Sequence, residues 1–228
     1  MVVADGRERR NPWRWDNAGM LNLEYAQRSC GRSIRRVVAR ARLLRPRAVR
    51  VATVTALAPL LATALAACSP ALDWRQAGPQ GVDILLQYPC KPQSVTQAVV
   101  LAGKRLDMSM TGCEAAHMTF ALAHADLGEP ALVAPALAEL RHDAISNIRG
   151  HVLAQQPAQV RHASSAQPDA VELDLAGQAP GGGALREHVV LFAQGTQVFQ
   201  ATVLAKDADY RKDAAHTFAA SVQLGSAP

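Results

Sequence analysis

No G-x-S-x-G elbow, no H-E-x-x-H and no C-x-x-C or H-x-x-x-H spacing occurs anywhere in these 228 residues. The first absence removes the sharp strand-to-helix turn that exposes a hydrolase serine, and the others remove the usual local zinc spacings. The triple glycine Gly181-Gly182-Gly183 precedes a strand pattern and not a helix. It therefore lacks the helix N-terminus that a phosphate cradle needs, and reads as a hairpin loop. The one long apolar stretch, residues 51–67, is seventeen residues of mostly Ala, Thr and Leu, with Pro59 inside it. That is the lower edge of what spans a bilayer, and its transfer energy is weak.

A basic footprint is also missing from the part expected to fold. The whole chain carries a net +5, which on its face suggests nucleic acid or an acidic surface. Residues 1–68, however, hold thirteen arginines against four acids, net +9, while residues 69–228 hold eleven Lys/Arg against fifteen Asp/Glu, net −4. The positive excess is a targeting feature of the kind that stays on the cytoplasmic side of a membrane. No nucleic-acid partner is expected for the rest.

Arginines, then a short apolar run, then small residues make a secretory signal. Its end, Leu65-Ala66-Ala67-Cys68, resembles the bacterial lipobox. That resemblance implies lipidation of the Cys68 thiol and cleavage just before it, so that residues 48–67 are the signal peptide and residues 68–71 a lipidated tether. An uncleaved anchor or a buried core helix are the alternatives for the run. Ser69 in the next position lacks the aspartate associated with inner-membrane retention, so the resemblance implies an outer-membrane anchor facing the periplasm. Residues 1–47 have no sustained apolar period and read as a disordered or mis-assigned extension, with translation starting between Met20 and Val49. Arg35-Arg36 within Ser33-Ile34-Arg35-Arg36-Val37-Val38 is a weak twin-arginine signal.

Cysteine is scarce, with four in all. Cys30 falls in the extension and Cys68 is taken by the lipid. Cys90 and Cys113 are left together in an exported chain, where disulfides form and persist, so their pairing is expected. Two free buried thiols are the alternative.

About 160 residues remain for one domain, enough to bury a core. Expected strands cover 71–75, 82–88, 97–101, 106–113, 116–125, 159–164, 170–175, 185–193 and 197–205. Alternation is clearest where Leu106, Met108 and Met110 interleave with polar neighbours, and where Val171, Leu173 and Leu175 interleave with Glu172 and Asp174. A helix is expected from Pro135 to Arg149, with Leu137, Leu140, Ala144, Ile145 and Ile148 at helical spacing and Gly150 as its stop. A second is expected from Tyr210 to Gln223, capped by Asp209, with Tyr210, Ala214, Phe218 and Val222 on one face. Strands joined by hairpins, interrupted by helices, argue an α+β fold built on a mainly antiparallel sheet.

The Leu72-Asp73-Trp74-Arg75 opening, the Tyr88-Pro89-Cys90-Lys91-Pro92 segment, Thr119-Phe120-Ala121 and the closing Thr217-Phe218-Ala219-Ala220-Ser221 are similar to small exported proteins of the PsbP-like class. The resemblance covers residues 72–224. It implies a three-layer α/β/α sandwich acting as a binding module that docks onto a larger partner, with no catalytic residue to carry over. A carrier of a small apolar ligand is the second expectation, with Met108, Met110, Met118 and Phe120 as lining, although such a stripe is more often plain core.

The titratable residues suggest no chemistry by themselves. His117 and His124 are seven apart on one strand pattern and so face opposite ways. His142, His151, His162, His188 and His216 fall singly on different elements. Glu172 and Asp174 are neighbours on one strand face, but alternation with Val171, Leu173 and Leu175 makes that face the solvated one. Asp207 and Asp209 read as loop and cap residues. No catalytic residue, cofactor or metal ligand is expected, and the chain is read as a non-enzyme.

Overall fold

The computed structural model describes residues 71–164 and 167–225. The arginine-rich extension, the apolar run, Cys68 and the alternative starts lie outside the described residues. Among the described residues no helix is long and apolar enough to cross a membrane.

The chain is α+β, with ten strands in two sheets and two helices among the described residues. In order these are β1 (Arg75–Ala77), β2 (Ile84–Tyr88), β3 (Gln93–Leu101), β4 (Lys104–Ala115), β5 (Met118–Asp126), α1 (Val133–Asn147), β6 (His151–Pro157), β7 (Val171–Gln178), β8 (Ala184–Gln194), β9 (Gln197–Lys206), α2 (Lys212–Ala220) and β10 (Gln223–Leu224). The large sheet has the order β3-β4-β5-β9-β8-β7-β6, with every neighbour antiparallel. It consists of two meanders, β3 to β5 and β6 to β9, joined where β9 pairs with β5. The chain leaves β5 and must reach β6, four strand spacings away, or about 19 Å. The fifteen residues of α1 span about 22 Å, which fits that crossing.

Three of the hairpins turn through two residues. Ala102-Gly103 and Ala116-His117 both take positive φ at both positions, the mirror-image turn whose twist suits paired strands. The expected turn at Ala115 is thus one residue later, and His117 belongs to the turn and not to the strand with His124. A two-residue turn also fixes parity: Met110 of β4 lies opposite Ala123 of β5, and Cys113 opposite Phe120. Met108 and Met110 therefore lie on one face of the sheet, and Met118 and Phe120 on the other. The four cannot line a single pocket as expected of a carrier.

α1 starts two residues before the expected Pro135 and ends in a left-handed Arg149, φ 48°. The Gly150 amide donates to the Ile145 carbonyl, 2.8 Å, and the Arg149 amide to that of Ser146, 2.9 Å, which closes the last turn. Gly150 follows that turn because a Cβ there would stand 2.9 Å from the Ala176 carbonyl oxygen of the neighbouring strand. The strand expected at 159–164 is not there. Its place in the sheet is taken by β6, whose seven residues are all exposed. An edge strand wet on both sides leaves no alternation to read. α2 is shorter than expected, and Arg211, not Asp209, stands at its N-cap without a side-chain cap bond.

β2 lies between β1 and β10 in the small sheet. Its inward residues Ile84, Leu86 and Tyr88 pack with Ala214, Ala215 and Phe218 of α2 against Phe120, Leu122, Val190, Phe192, Ala201 and Val203 of the large sheet. Phe218 meets Tyr88 and Phe120 edge-on, with ring centres 5.4 and 5.6 Å apart, the geometry aromatic rings prefer. The Tyr88 hydroxyl donates to the Thr111 carbonyl, 3.2 Å, so its one polar atom is satisfied inside the core.

Cys90 and Cys113 are joined by a disulfide, with Cα atoms 6.0 Å apart. β2 and β4, the strands that lead to them, belong to different sheets. The bond forms because the chain leaves β2 at Tyr88 and enters β3 at Gln93, which pairs with Gly112 beside Cys113. The bridge thus ties the small sheet to the large one.

Two predictions follow from this core. Cys90→Ala/Cys113→Ala should lower unfolding stability by about 3 kcal/mol, the chain-entropy value for a loop of this length; unchanged denaturation midpoints with and without reductant in the parent would contradict it. The second concerns Glu187, buried on β8 with Leu175 and Leu204 as its cross-strand neighbours. Burial pushes its carboxyl from 4.5 up to about 8. Between those values the unfolded chain has released a proton that the folded chain keeps. Its contribution is fully present below about pH 4.5 and is lost as pH rises toward 8, at a slope of at most about 1.4 kcal/mol per pH unit. Urea midpoints measured from pH 5 to pH 8 should fall more steeply in the parent than in Glu187→Gln; parallel profiles would rule the buried proton out.

Candidate functional site

Glu172 and Asp174 stand on one face of β7, and His188 on β8 is the register partner of Asp174. Cross-strand partners share a face, so the three side chains converge. The same face of β8 carries Val190 into the core beneath α2, and α2 brings His216 over the cluster. The expectation that this face is solvated is therefore wrong at its centre. His188 is 1% exposed, and the side chains of Glu172 and Asp174 are 16% and 24% exposed. Alternation identified the shared face correctly, but helix α2, which roofs it, is remote in sequence.

His188 is held from both sides. Its Nδ1 lies 2.7 Å from Asp174 Oδ1 in a hydrogen bond, and its Nε2 lies 3.2 Å from Glu172 Oε1. The second contact is short but not aligned, and Nε2 is a buried nitrogen with no hydrogen-bond partner. His216, with its side chain 43% exposed, places Nδ1 3.8 Å from the same Glu172 oxygen. The two imidazole rings are 4.8 Å apart, centre to centre, and tilted by 56°. Glu172, His188 and His216 thus offer one donor atom each, all within 4.8 Å of one another, and are the residues among those described that could hold a metal ion.

The surroundings are polar on one side and dry on the other. Tyr210 stands just before α2 with its hydroxyl buried and without a partner. Burial, with the charge of Asp174 nearby, pushes its phenol up to about 12, against a smaller opposing pull from Arg186. Arg186, two residues before His188, pairs with Asp207 at 2.6 Å and fixes the turn that leads to Tyr210. Asp207, expected as a plain loop residue, thus also carries an ion pair. Chemically the cluster can hold a proton or a cation between an imidazole and a carboxylate.

The other histidines do not join it. His124 stacks on Phe199 at 6.2 Å, and burial lowers its pKa. His162 Nδ1 lies 3.0 Å from the Leu224 carbonyl oxygen, and His117, His142 and His151 are exposed. Cys90 and Cys113 meet in their bridge, apart from this cluster.

No family model matches the chain, and no curated protein matches it. Among solved structures, the chain is similar to the protein of unknown function PA94 from Pseudomonas aeruginosa, at 12% identity and a TM-score of 0.29, over 60% of this chain and 85% of that one. A likeness at that level carries no argument about fold family or function.

Proposed function

We propose that the chain is an envelope lipoprotein, anchored by a lipid on Cys68 in the outer membrane and facing the periplasm, whose folded part is a non-catalytic module that docks a protein partner. In this reading the domain is PsbP-like, with α1 and α2 on opposite faces of the large sheet as the outer layers of a three-layer sandwich. The Leu65-Ala66-Ala67-Cys68 pattern supports the anchor. The Cys90–Cys113 bridge supports an oxidising compartment, where such bonds persist.

The observation that carries the docking reading is β6. It is an edge strand, exposed along its whole length, and presents Val152 and Leu153 at 38% and 47% exposure. An open edge with apolar side chains is a template for an added strand from another chain. A ladder irregularity between Val152 and Ala154 and Pro157 at the strand's end limit how far such pairing runs. The carrier reading would need a pocket on one side of the sheet only, since its proposed methionine lining is divided between the two faces.

Two experiments test this. Cys68→Ala should abolish incorporation of a fatty-acid analogue in cells, and a labelled variant would refute the anchor. Val152→Asp/Leu153→Asp should change stability by no more than about 0.5 kcal/mol per site, as exposed substitutions do. The pair should also remove the protein that co-purifies with the parent from detergent-solubilised envelopes. Retention of that same protein would refute docking at β6.

A further inference from the structure

We infer that Glu172, His188 and His216 form a binding site for a zinc ion, with Asp174 positioning His188. The argument begins with the tautomer. Asp174 Oδ1 at 2.7 Å takes the proton on Nδ1, so the lone pair of a neutral His188 is on Nε2. That lone pair is buried, has no hydrogen-bond partner and lies 3.2 Å from a carboxylate oxygen. Two electron-rich atoms do not rest so close in a dry site without a cation between them. A proton on Nε2 is one candidate, but the oxygen is out of line for an N–H bond, so the proton would be left unsatisfied.

A metal ion removes that conflict. In a tetrahedral zinc site with bonds of about 2.0–2.2 Å, donor atoms stand roughly 3.3–3.6 Å apart, each well off the bond axis of the next. The His188–Glu172 separation of 3.2 Å is already close to that value. His216 Nδ1 is 3.8 Å from Glu172 Oε1 and its donor atom within 4.8 Å of that of His188, so its half-exposed side chain must swing inward by about an ångström to reach that spacing. Two imidazoles and one carboxylate are a donor set that zinc takes with a fourth position left for water, and a hard ion such as magnesium or calcium would not choose those nitrogens. The carboxylate on the far nitrogen of a ligating histidine is the usual support for such a ligand, fixing its tautomer and raising its basicity. Asp174 occupies that place.

The test uses the full chain, purified in detergent without an affinity tag and stripped with EDTA. It is titrated with zinc against a chromophoric chelator, with cobalt in parallel, read by visible absorption. One equivalent of zinc should bind per chain, and cobalt should give the intense bands of a four-coordinate ion. Asp174→Asn should weaken zinc binding by about 10- to 100-fold, the range for a supporting carboxylate. His216→Ala, at a half-exposed position where the fold is kept, should weaken it further and abolish the cobalt bands. His142→Ala and His151→Ala, both exposed elsewhere, should leave it unchanged. Failure to bind one equivalent of zinc, or binding that His216→Ala leaves intact, would overturn the site.

Discussion

The pairing of β5 with β9 is the contact on which the rest of this domain depends. Each strand is the last of its meander, and their register from Met118 opposite Ala205 to Asp126 opposite Gln197 turns two separate ribbons into one seven-stranded sheet. Neither ribbon buries both faces alone. Once joined, Phe120, Leu122, Ala201 and Val203 form a continuous apolar floor on which α2 and the small sheet pack. The partners are nearly eighty residues apart along the chain, so their pairing carries a long loop-closure cost that only the buried core offsets.

What the sequence disclosed follows from which of these contacts are local. The hairpins β4–β5 and β8–β9 were legible from alternation, and α1 from the spacing of Leu137, Leu140 and Ala144. Burial there is decided within the element. β6 was not legible, because His151-Val152-Leu153-Ala154 has no dry face to set a period. The methionines misled for a different reason. Period two relates residues within a strand, but a two-residue turn inverts the parity between strands, so Met110 and Met118 look alike in sequence and point to opposite faces.

The histidine cluster was out of reach for the same physical reason that makes it of interest. Glu172 and Asp174 were read correctly as sharing a face, but what lies over that face is contributed by α2, after two further strands. Local spacing identifies a metal site only when two donors ride on one element. Here each donor comes from its own: β7, β8 and α2. The disulfide was the opposite case, since the expectation of export and a leftover pair of cysteines named its partners before any geometry was known.

The bridge also determines how the domain would carry load. A pull on the N-terminal side enters through β1 and β2, and the small sheet can yield strand by strand, since each of its ladders is short. At Cys90 the path changes. The covalent link transfers tension straight to Cys113 in β4, and the segment between them, including all of β3, lies inside the closed loop and bears none of it. Tension then reaches β4 near its end, one strand away from the β5–β9 seam, where several long antiparallel ladders share it. The small sheet is thus a compliant element in series with a stiff one, and the disulfide is the coupling between them.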